Sequence, residues 1–145
     1  MHCKDLMTST VWTCAESDSV VDCARLMAAR GIGFVPVEDE RGVLRGVITD
    51  RDLATRVLAP GRPSDTRVGA VMTHPVVTCT GGEELRDAEE RMKEAGVSRI
   101  PVVVEGRCIG VVSLVEILRA DEPPSADQLM RAAAARNGKP PPALR

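Results

Sequence analysis

The stretch MAARGIGFVPV at residues 27–37 returns 65 positions later as MKEAGVSRIPV at residues 92–102. The methionine, the first glycine and the Pro-Val pair occupy the same places in both stretches. At this offset ten identities fall between Leu6 and Val37, where composition alone predicts about two. From Gly42 onward the offset is 64, because a turn tolerates the loss of a residue. The chain therefore contains two copies of one unit.

Each copy predicts the same order of elements: strand, helix, strand, strand, helix. Apolar residues at helical spacing mark the first helix of each copy. Ser17 or Asp18 is placed to cap this helix in copy one, and Gly31 and Gly96 are placed to end it in the two copies. The predicted strands cover residues 11–14, 34–37 and 44–49, then 76–79, 98–104 and 108–113, and the closing helices cover 50–58 and 114–120.

The repeat also predicts the domain organisation. Residues 1–58 form the first unit, residues 59–66 a linker rich in Pro and Gly, and residues 67–120 the second unit. Residues 121–145 form a tail that is expected to be partly flexible, with a short helix at 128–136 and a frayed stretch at 139–143. A unit of about 50 residues is too small to bury its apolar face alone. We therefore expect an α+β fold in which the two units share an interface.

Composition excludes several classes of function. The 145 residues carry a net charge of −2 and only 1% aromatic residues. A chain with no basic excess and few stacking side chains is disfavoured for nucleic-acid binding. No apolar run approaches the length of about 20 residues that spans a bilayer, and the first ten residues lack the features of a signal peptide. The sequence therefore predicts a cytoplasmic protein with no nucleic-acid or membrane partner.

The cysteines and histidines do not form a recognisable reactive site. The five cysteines are odd in number and include no C-x-x-C pair, so reduced, mostly buried thiols are expected. Cys14 and Cys79 occupy equivalent positions, which leaves a redox switch between them as an alternative. Zinc sites at His2-Cys3 or at His74 with Cys79 lack a second pair of ligands at proper spacing. With no nucleophile motif either, neither an enzyme nor a metal or cofactor is expected.

The stretch GVITDRDL at residues 46–53, matched by GVVSLVEI at 110–117, is the most informative motif. Thr49 and Asp52 are three apart at the start of a predicted helix, so both side chains reach the same helix mouth. This spacing is that of a capping box, in which the two side chains satisfy backbone amides. A carboxylate beside a hydroxyl also suits the 2′,3′-diol of a ribose. From spacing alone both interpretations stay open.

The doubled Met-Thr, the doubled Val-Pro-Val or Ile-Pro-Val, and GVITDRDL together resemble a tandem pair of cystathionine-β-synthase (CBS) domains, also called a Bateman module. The resemblance covers about residues 3 to 120. It implies two β-α-β-β-α units packed sheet to sheet about a pseudo-twofold axis. It also implies adenine-nucleotide or adenosyl ligands in two clefts, and dimerisation into a flat disc of four units.

The resemblance further implies that each cleft takes its ribose carboxylate from one unit and its adenine pocket from the other. Asp52 would hold the diol, the backbone around Ser98 would read the adenine edge, Val76 and Ile100 would contact the ring faces, and Arg99 would meet phosphate. The first expected cleft comprises Thr49, Asp52, Val76, Thr78, Ser98, Arg99 and Ile100. The second comprises Val11, Thr13, Gly33, Phe34, Val35, Ser113 and Glu116.

The second cleft departs from the family pattern, since Glu116 replaces the usual Asp and Phe34 stands where a basic residue is possible. The resulting expectation is a stand-alone regulatory module that binds AMP, ADP, ATP or S-adenosylmethionine, forms a homodimer and signals to an effector protein. The alternative is a structural protein that acts through its dimer surface with its clefts empty.

Overall fold

The computed structural model describes residues 1–121 and 125–136. Its strands and helices follow the predicted order, except that a short helix opens the first copy and a single bridge replaces the first strand of the second. The first copy contains α1 (Cys3–Leu6), β1 (Cys14–Ala15), α2 (Val20–Arg30), β2 (Phe34–Glu38), β3 (Leu44–Thr49) and α3 (Asp50–Asp52), and α3 continues as a π-helical stretch (Leu53–Leu58). A 3-10 turn (Val68–Ala70) precedes α4 (Leu85–Ala95), β4 (Arg99–Val104), β5 (Arg107–Ser113), α5 (Leu114–Asp121) and α6 (Ala126–Arg136).

The strands form one small sheet in each unit. In the first unit β1 pairs in parallel with β2, and β2 pairs with β3 in antiparallel fashion, with Phe34 opposite Thr49. In the second unit β4 pairs with β5, with Arg99 opposite Ser113. A parallel bridge between Cys79 and Val102 stands where the first unit has β1. The predicted α+β architecture is confirmed, although the first strand of each copy is shorter than predicted.

Helices α2 and α4 end at the predicted glycines. Gly31 and Gly96 both adopt the left-handed conformation, with φ of 64° and 68°, which only glycine adopts without a steric cost. The start of α2 corrects the sequence analysis, because the N-cap is Ser19, whose side chain accepts from the amide of Asp22. The Asp18 carboxylate accepts instead from the amide of Ala15, 2.9 Å away. The capping position therefore lies one residue after Asp18 and two after Ser17, the two predicted caps.

The closing helix of the first copy differs from that of the second. Residues 53–58 follow α3 as a π-helical stretch, in which the Ala59 amide donates to the Ala54 carbonyl over 2.9 Å. Such i to i+5 bonding widens the helix locally. In the second copy α5 is α-helical from Leu114 to Asp121. The helix predicted at 128–136 corresponds to α6, and the stretch 139–143 lies outside the described residues.

Each unit has its own aliphatic core, as a chain with so few aromatics requires. Sheet and helix residues fill both cores, and each core also contains residues from outside its own copy. The first core comprises Cys14, Val20, Cys23, Met27, Val35, Val37, Ile48, Val57, Val68 and Val71. The second comprises Cys3, Cys79, Leu85, Ala88, Met92, Ile100, Val102, Val112 and Ile117.

The segments that begin the two copies are exchanged between the units. Cys3 is fully buried in the second core, and Val68 is fully buried in the first. The Thr8 amide donates to the Val111 carbonyl over 2.9 Å, and the Val111 amide donates back over 3.0 Å.

The opening segment of the second copy pairs with the first unit in the same way. Thr73 and Val47 exchange two backbone hydrogen bonds of 2.8 and 3.0 Å. An exchange in which each partner contributes the same segment is the mark of twofold symmetry. The two units are therefore related by a pseudo-twofold axis, and each packing unit in space includes residues from both sequence repeats.

The exchange predicts the effect of adding a methyl group at Gly110. A Cβ atom there would lie 2.6 Å from Met7 Sδ and 3.1 Å from the Thr8 carbonyl oxygen, so the exchanged segment would have to move. We expect Gly110→Ala to lower the free energy of unfolding by about 1–3 kcal/mol, the cost typical of overpacking. Urea denaturation measures this loss.

Gly82→Ala is the matched control, because nothing lies within 4 Å of a Cβ at that position. It should change the free energy of unfolding by no more than about 0.5 kcal/mol. Equal stabilities for the Gly110→Ala and Gly82→Ala proteins would contradict the observed exchange.

Candidate functional site

A cavity of about 410 Å³ lies between the two units and is called cleft A below. Its walls come from the end of β3 and α3 in the first copy, and from the segments before α4 and around the start of β4 in the second. Its lining residues are Gly33, Phe34, Val47, Thr49, Asp50, Arg51, Asp52, Thr73, Pro75, Val76, Val77, Gly96, Val97, Ser98, Arg99 and Pro101. The structure therefore brings together five of the seven residues expected in the first cleft.

Thr49 and Asp52 form a complete capping box at the edge of cleft A. The Thr49 amide donates to Asp52 Oδ2 over 3.0 Å, and the Asp52 amide donates to Thr49 Oγ1 over 3.1 Å. The other carboxylate oxygen, Oδ1, lies 3.7 Å from Arg56 Nε. The Asp52 side chain keeps 14% of its surface exposed. The capping interpretation is thus confirmed, and the same carboxylate still borders the cavity.

Gly33 borders cleft A and lies close to the side chain of Asp50. A Cβ atom at this position would lie 2.6 Å from Asp50 Oδ2. The Asp50 amide also donates to the Gly33 carbonyl over 3.1 Å. This backbone hydrogen bond joins the chain before β2 to the start of α3, next to Thr49 and Asp52.

The lining of cleft A contains two arginines and two aspartates, so its formal charges cancel. Asp50 and Asp52 border it from α3, together with Arg51, and Arg99 borders it from β4. Arg99 is exposed, and within residues 1–121 and 125–136 its guanidinium makes no hydrogen bond or ion pair. An extended, unpaired guanidinium at a cavity wall is suited to binding a phosphate or carboxylate. The contribution of Arg51 was missed, because the motif analysis considered only Thr49 and Asp52.

The structure corrects the expectations for Ile100 and Thr78. Side chains alternate along a strand, so Arg99 faces out while Ile100 is fully buried in the second core. An Ile100 side chain in that position does not contact a ring in the cleft. Thr78 also lies outside the lining, and its carbonyl accepts from Arg91 Nη1 over 2.7 Å.

A second cavity of about 270 Å³, called cleft B below, occupies the twofold-related position. It contains five of the seven residues expected in the second cleft, together with several that were not expected. Its lining residues are Thr8, Thr10, Val11, Trp12, Gly31, Ile32, Gly33, Phe34, Pro36, Arg99, Val111, Ser113 and Glu116. Gly33, Phe34 and Arg99 therefore border both clefts.

Thr13 and Val35 are not among the lining residues of cleft B. Val35 is fully buried in the first core. The Thr13 hydroxyl donates to Glu38 Oε1 over 3.2 Å. The sequence analysis missed Trp12, which also borders cleft B. The Arg30 guanidinium lies over its ring, 3.8 Å from the centroid. This cation–π contact fixes one ring face.

The thiols form two buried pairs, one in each core. Burial raises the pKa of Cys79 to about 12 and also raises the pKa of Cys3, its neighbour in the second core. A hydrogen bond with Cys23 and burial raise the pKa of Cys14. Cys14 and Cys79 thus lie in different cores, which contradicts a switch between them. Within the described ranges, no cluster of three or more His, Cys, Asp and Glu side chains could hold a metal ion.

Comparison with known proteins agrees with this architecture. The CBS domain family matches the chain twice, at residues 3–59 and 68–122. This chain belongs to the CBS domain family and carries two CBS domains, which together form a Bateman module. No helix among the described residues is both long and apolar enough to cross a membrane.

Three relatives illustrate the similarity. The CBS domain-containing protein YhcV of Bacillus subtilis (strain 168) is 36% identical over 114 residues, which cover 79% of this chain and 81% of YhcV. CBSCBSPB2 of Arabidopsis thaliana is 35% identical over 116 residues, 79% of this chain but only 22% of the plant protein. The CBS domain pair of protein MJ0100, in complex with 5′-methylthioadenosine and S-adenosyl-L-methionine, is 27% identical with a TM-score of 0.76, and covers 84% of this chain and 100% of that one.

The buried thiols predict low reactivity in the native protein. At pH 8 the thiols of Cys3, Cys14, Cys79 and Cys108 are neutral because their pKa values are raised, and the thiolate is the reactive form, so exposure decides the order in which they react. We expect Cys108, which is only half-buried, to react first with a disulfide reagent such as DTNB, and the others to react only when the protein opens.

All five cysteines should react promptly in denaturant, which serves as the control. Alkylation followed by mass spectrometry identifies the order of reaction. Labelling of Cys79 ahead of Cys108 in the native protein would contradict the assignment of Cys79 to a closed core.

Proposed function

We propose that this protein is a regulatory module that binds an adenosine-containing ligand in cleft A. The observation that carries the proposal is the position of the Asp52 carboxylate, which stands at the edge of a cavity walled by both units. The complex of the MJ0100 domain pair with two adenosyl compounds supports this ligand class. The proposed ligands are AMP, ADP, ATP and S-adenosylmethionine.

The capping role of Asp52 is compatible with ribose binding. A carboxylate has about four acceptor positions on its two oxygens. The Thr49 amide uses one of them on Oδ2, and Arg56 Nε approaches Oδ1 only to 3.7 Å. Acceptor positions therefore remain for the two hydroxyls of a ribose, and the capping box holds the carboxylate in place before the ligand arrives.

The opposite wall of cleft A supplies the rest of the proposed site. Val76 is a half-buried aliphatic side chain that would contact a purine face, and the backbone beside Ser98 would read the adenine edge. Arg99 and Arg51 would meet phosphate oxygens, for which a guanidinium fork is well matched. Adenosine, which has no phosphate, would contact Val76 and the backbone beside Ser98 but not the arginines.

A ligand bound in this way would bias the arrangement of the two units. It contacts Asp52 in the first copy and Ser98 in the second, so binding is strongest for one relative orientation. A ligand shifts an equilibrium by its differential affinity for the states. We propose that a partner protein reads this orientation, and that the module works as a homodimer.

Exposed apolar side chains on the helices favour an interaction surface. Val115 and Leu118 on α5 are 50% and 46% exposed, and Leu129 and Met130 on α6 are 56% and 59% exposed. These residues support the proposed homodimer. They also favour the second candidate function, a protein that acts through this surface with its clefts empty.

A thermal-shift series with AMP, ADP, ATP and S-adenosylmethionine separates the two candidates. A ligand present at 100 times its Kd adds about 2.7 kcal/mol to the free energy of unfolding. We expect at least one of the four compounds to raise the melting temperature in a concentration-dependent way. Unchanged melting with all four would favour the ligand-free interaction protein.

The role of Asp52 is tested by two substitutions. Asp52→Asn keeps an acceptor for the Thr49 amide but removes the charge, whereas Asp52→Ala removes both. We expect both variants to lose at least about 100-fold in ligand affinity, since hydrogen bonds to a charged group contribute about 1.5–3 kcal/mol each. Only Asp52→Ala should lose stability, by about 1 kcal/mol for the broken cap.

Calorimetric titration measures the affinities, and urea denaturation measures the stabilities. Glu40→Gln, at an exposed turn position away from cleft A, is the control and should bind as the parent does. Parental affinity in the Asp52→Asn protein would rule out Asp52 as the ribose acceptor.

A further inference from the structure

Arg99 stands at a position that both clefts share. Its equivalent in the first copy is Phe34, which lies 65 residues earlier, and the two residues occur at the start of β4 and β2. Both border cleft A and both border cleft B. The pseudo-twofold axis therefore pairs an arginine with a phenylalanine, so one guanidinium serves two cavities.

The charges of the two clefts are unequal. Cleft A has a second cation in Arg51, whereas Arg99 is the one cationic side chain in the described lining of cleft B, where it accompanies Glu116. An anionic ligand in cleft B thus meets Arg99 and the Glu116 carboxylate in the lining, and the other nearby cation is Arg30, whose guanidinium is stacked on Trp12.

We propose that the two clefts compete for Arg99, so that a phosphorylated nucleoside bound in cleft A weakens the binding of a second one in cleft B. This inference rests on the proposed function and specifies how its ligands are distributed. Cleft A takes the phosphorylated nucleoside, and cleft B then takes an uncharged or cationic adenosine compound.

The geometry of the guanidinium explains the competition. Its donors lie in one plane as a rigid fork that binds one anion at a time with full strength. Within the described residues no ion pair holds the Arg99 side chain to one side, so it is free to swing toward the cleft that contains an anion. Once a phosphate in one cleft has paired with the Arg99 guanidinium, that positive charge cannot also compensate a phosphate in the other cleft. By linkage the effect is reciprocal: each anion weakens the other by the same factor.

Trp12 provides a signal that belongs to cleft B alone. It is the one Trp of a chain with no Tyr, and it borders cleft B but not cleft A. A ligand in cleft B should therefore change the tryptophan fluorescence, while total binding is measured by calorimetry. The probes are AMP, which carries a phosphate, and adenosine, which does not.

The experiment compares the parent protein with Asp52→Asn, in which cleft A is disabled and Arg99 is free to serve cleft B. We expect AMP to bind cleft B at least tenfold more tightly in Asp52→Asn than in the parent. Adenosine should bind cleft B with constants within twofold of each other in the two proteins. Arg99→Met should abolish the difference for AMP, whereas Arg119→Met, at an exposed position on α5, should preserve it.

Equal AMP constants for cleft B in the parent and in Asp52→Asn would overturn the competition, as would an unchanged difference in Arg99→Met. The absence of any fluorescence response to AMP in Asp52→Asn would overturn it as well. If adenosine binds but the AMP constants for cleft B are equal in the two proteins, the competition is refuted and the proposed function stands. Failure of both adenosine and AMP to bind the parent refutes the competition, and it refutes the proposed function as well only if ADP, ATP and S-adenosylmethionine also leave the melting temperature unchanged.

Discussion

Reciprocal backbone pairing between the units is the constraint on which the rest of the structure depends. Thr8 pairs with Val111 in the second unit, and Thr73 pairs with Val47 in the first. Each pairing carries an apolar residue into the other unit's core, Cys3 in one case and Val68 in the other. Burying a Val side chain fully contributes about 1.5–3 kcal/mol. Separating the units would open both cores, so the two units stay together and the clefts lie between them.

The exchanged segments also form the cleft walls. After the bridge at Thr73 the chain continues along cleft A through Pro75 and Val76. After the bridge at Thr8 it continues along cleft B through Val11 and Trp12. The element that joins the units is thus the element that a ligand would contact. Under the proposed function, a ligand would therefore act on the relative orientation of the units through this same stretch of chain.

The repeat made much of the fold predictable. Helical spacing and the glycines at 31 and 96 located the first helices, because a left-handed end is a strong local requirement. The exchange of the opening segments between the units was not predictable. An offset of 65 residues shows which positions are equivalent, but it does not show which unit each opening segment packs against. The N-cap at Ser19 was missed because Ser17, Asp18 and Ser19 are all capable caps, and the tertiary path of the chain selects among them.

The candidate site was predicted to the level of segments but not of every side chain. Thr49, Asp52, Val76, Ser98 and Arg99 border one cavity, as their motif positions indicated. Ile100 and Val35 are buried outside the linings, because neighbours on a strand face opposite ways and a run of consecutive strand residues cannot all face the cleft. Trp12 carried no signal as a site residue, because its counterpart in the second copy is Val77 and no repeated motif includes it.

A crystal structure of the protein with bound adenosine tests the central claim most directly, since that claim is a cavity built by both units around one carboxylate. The account predicts adenosine density between Thr49–Asp52 and residues 96–99, with the ribose hydroxyls at about 2.5–2.7 Å from Asp52 oxygens. Adenosine absent from cleft A, or a ribose turned away from Asp52, would contradict the account.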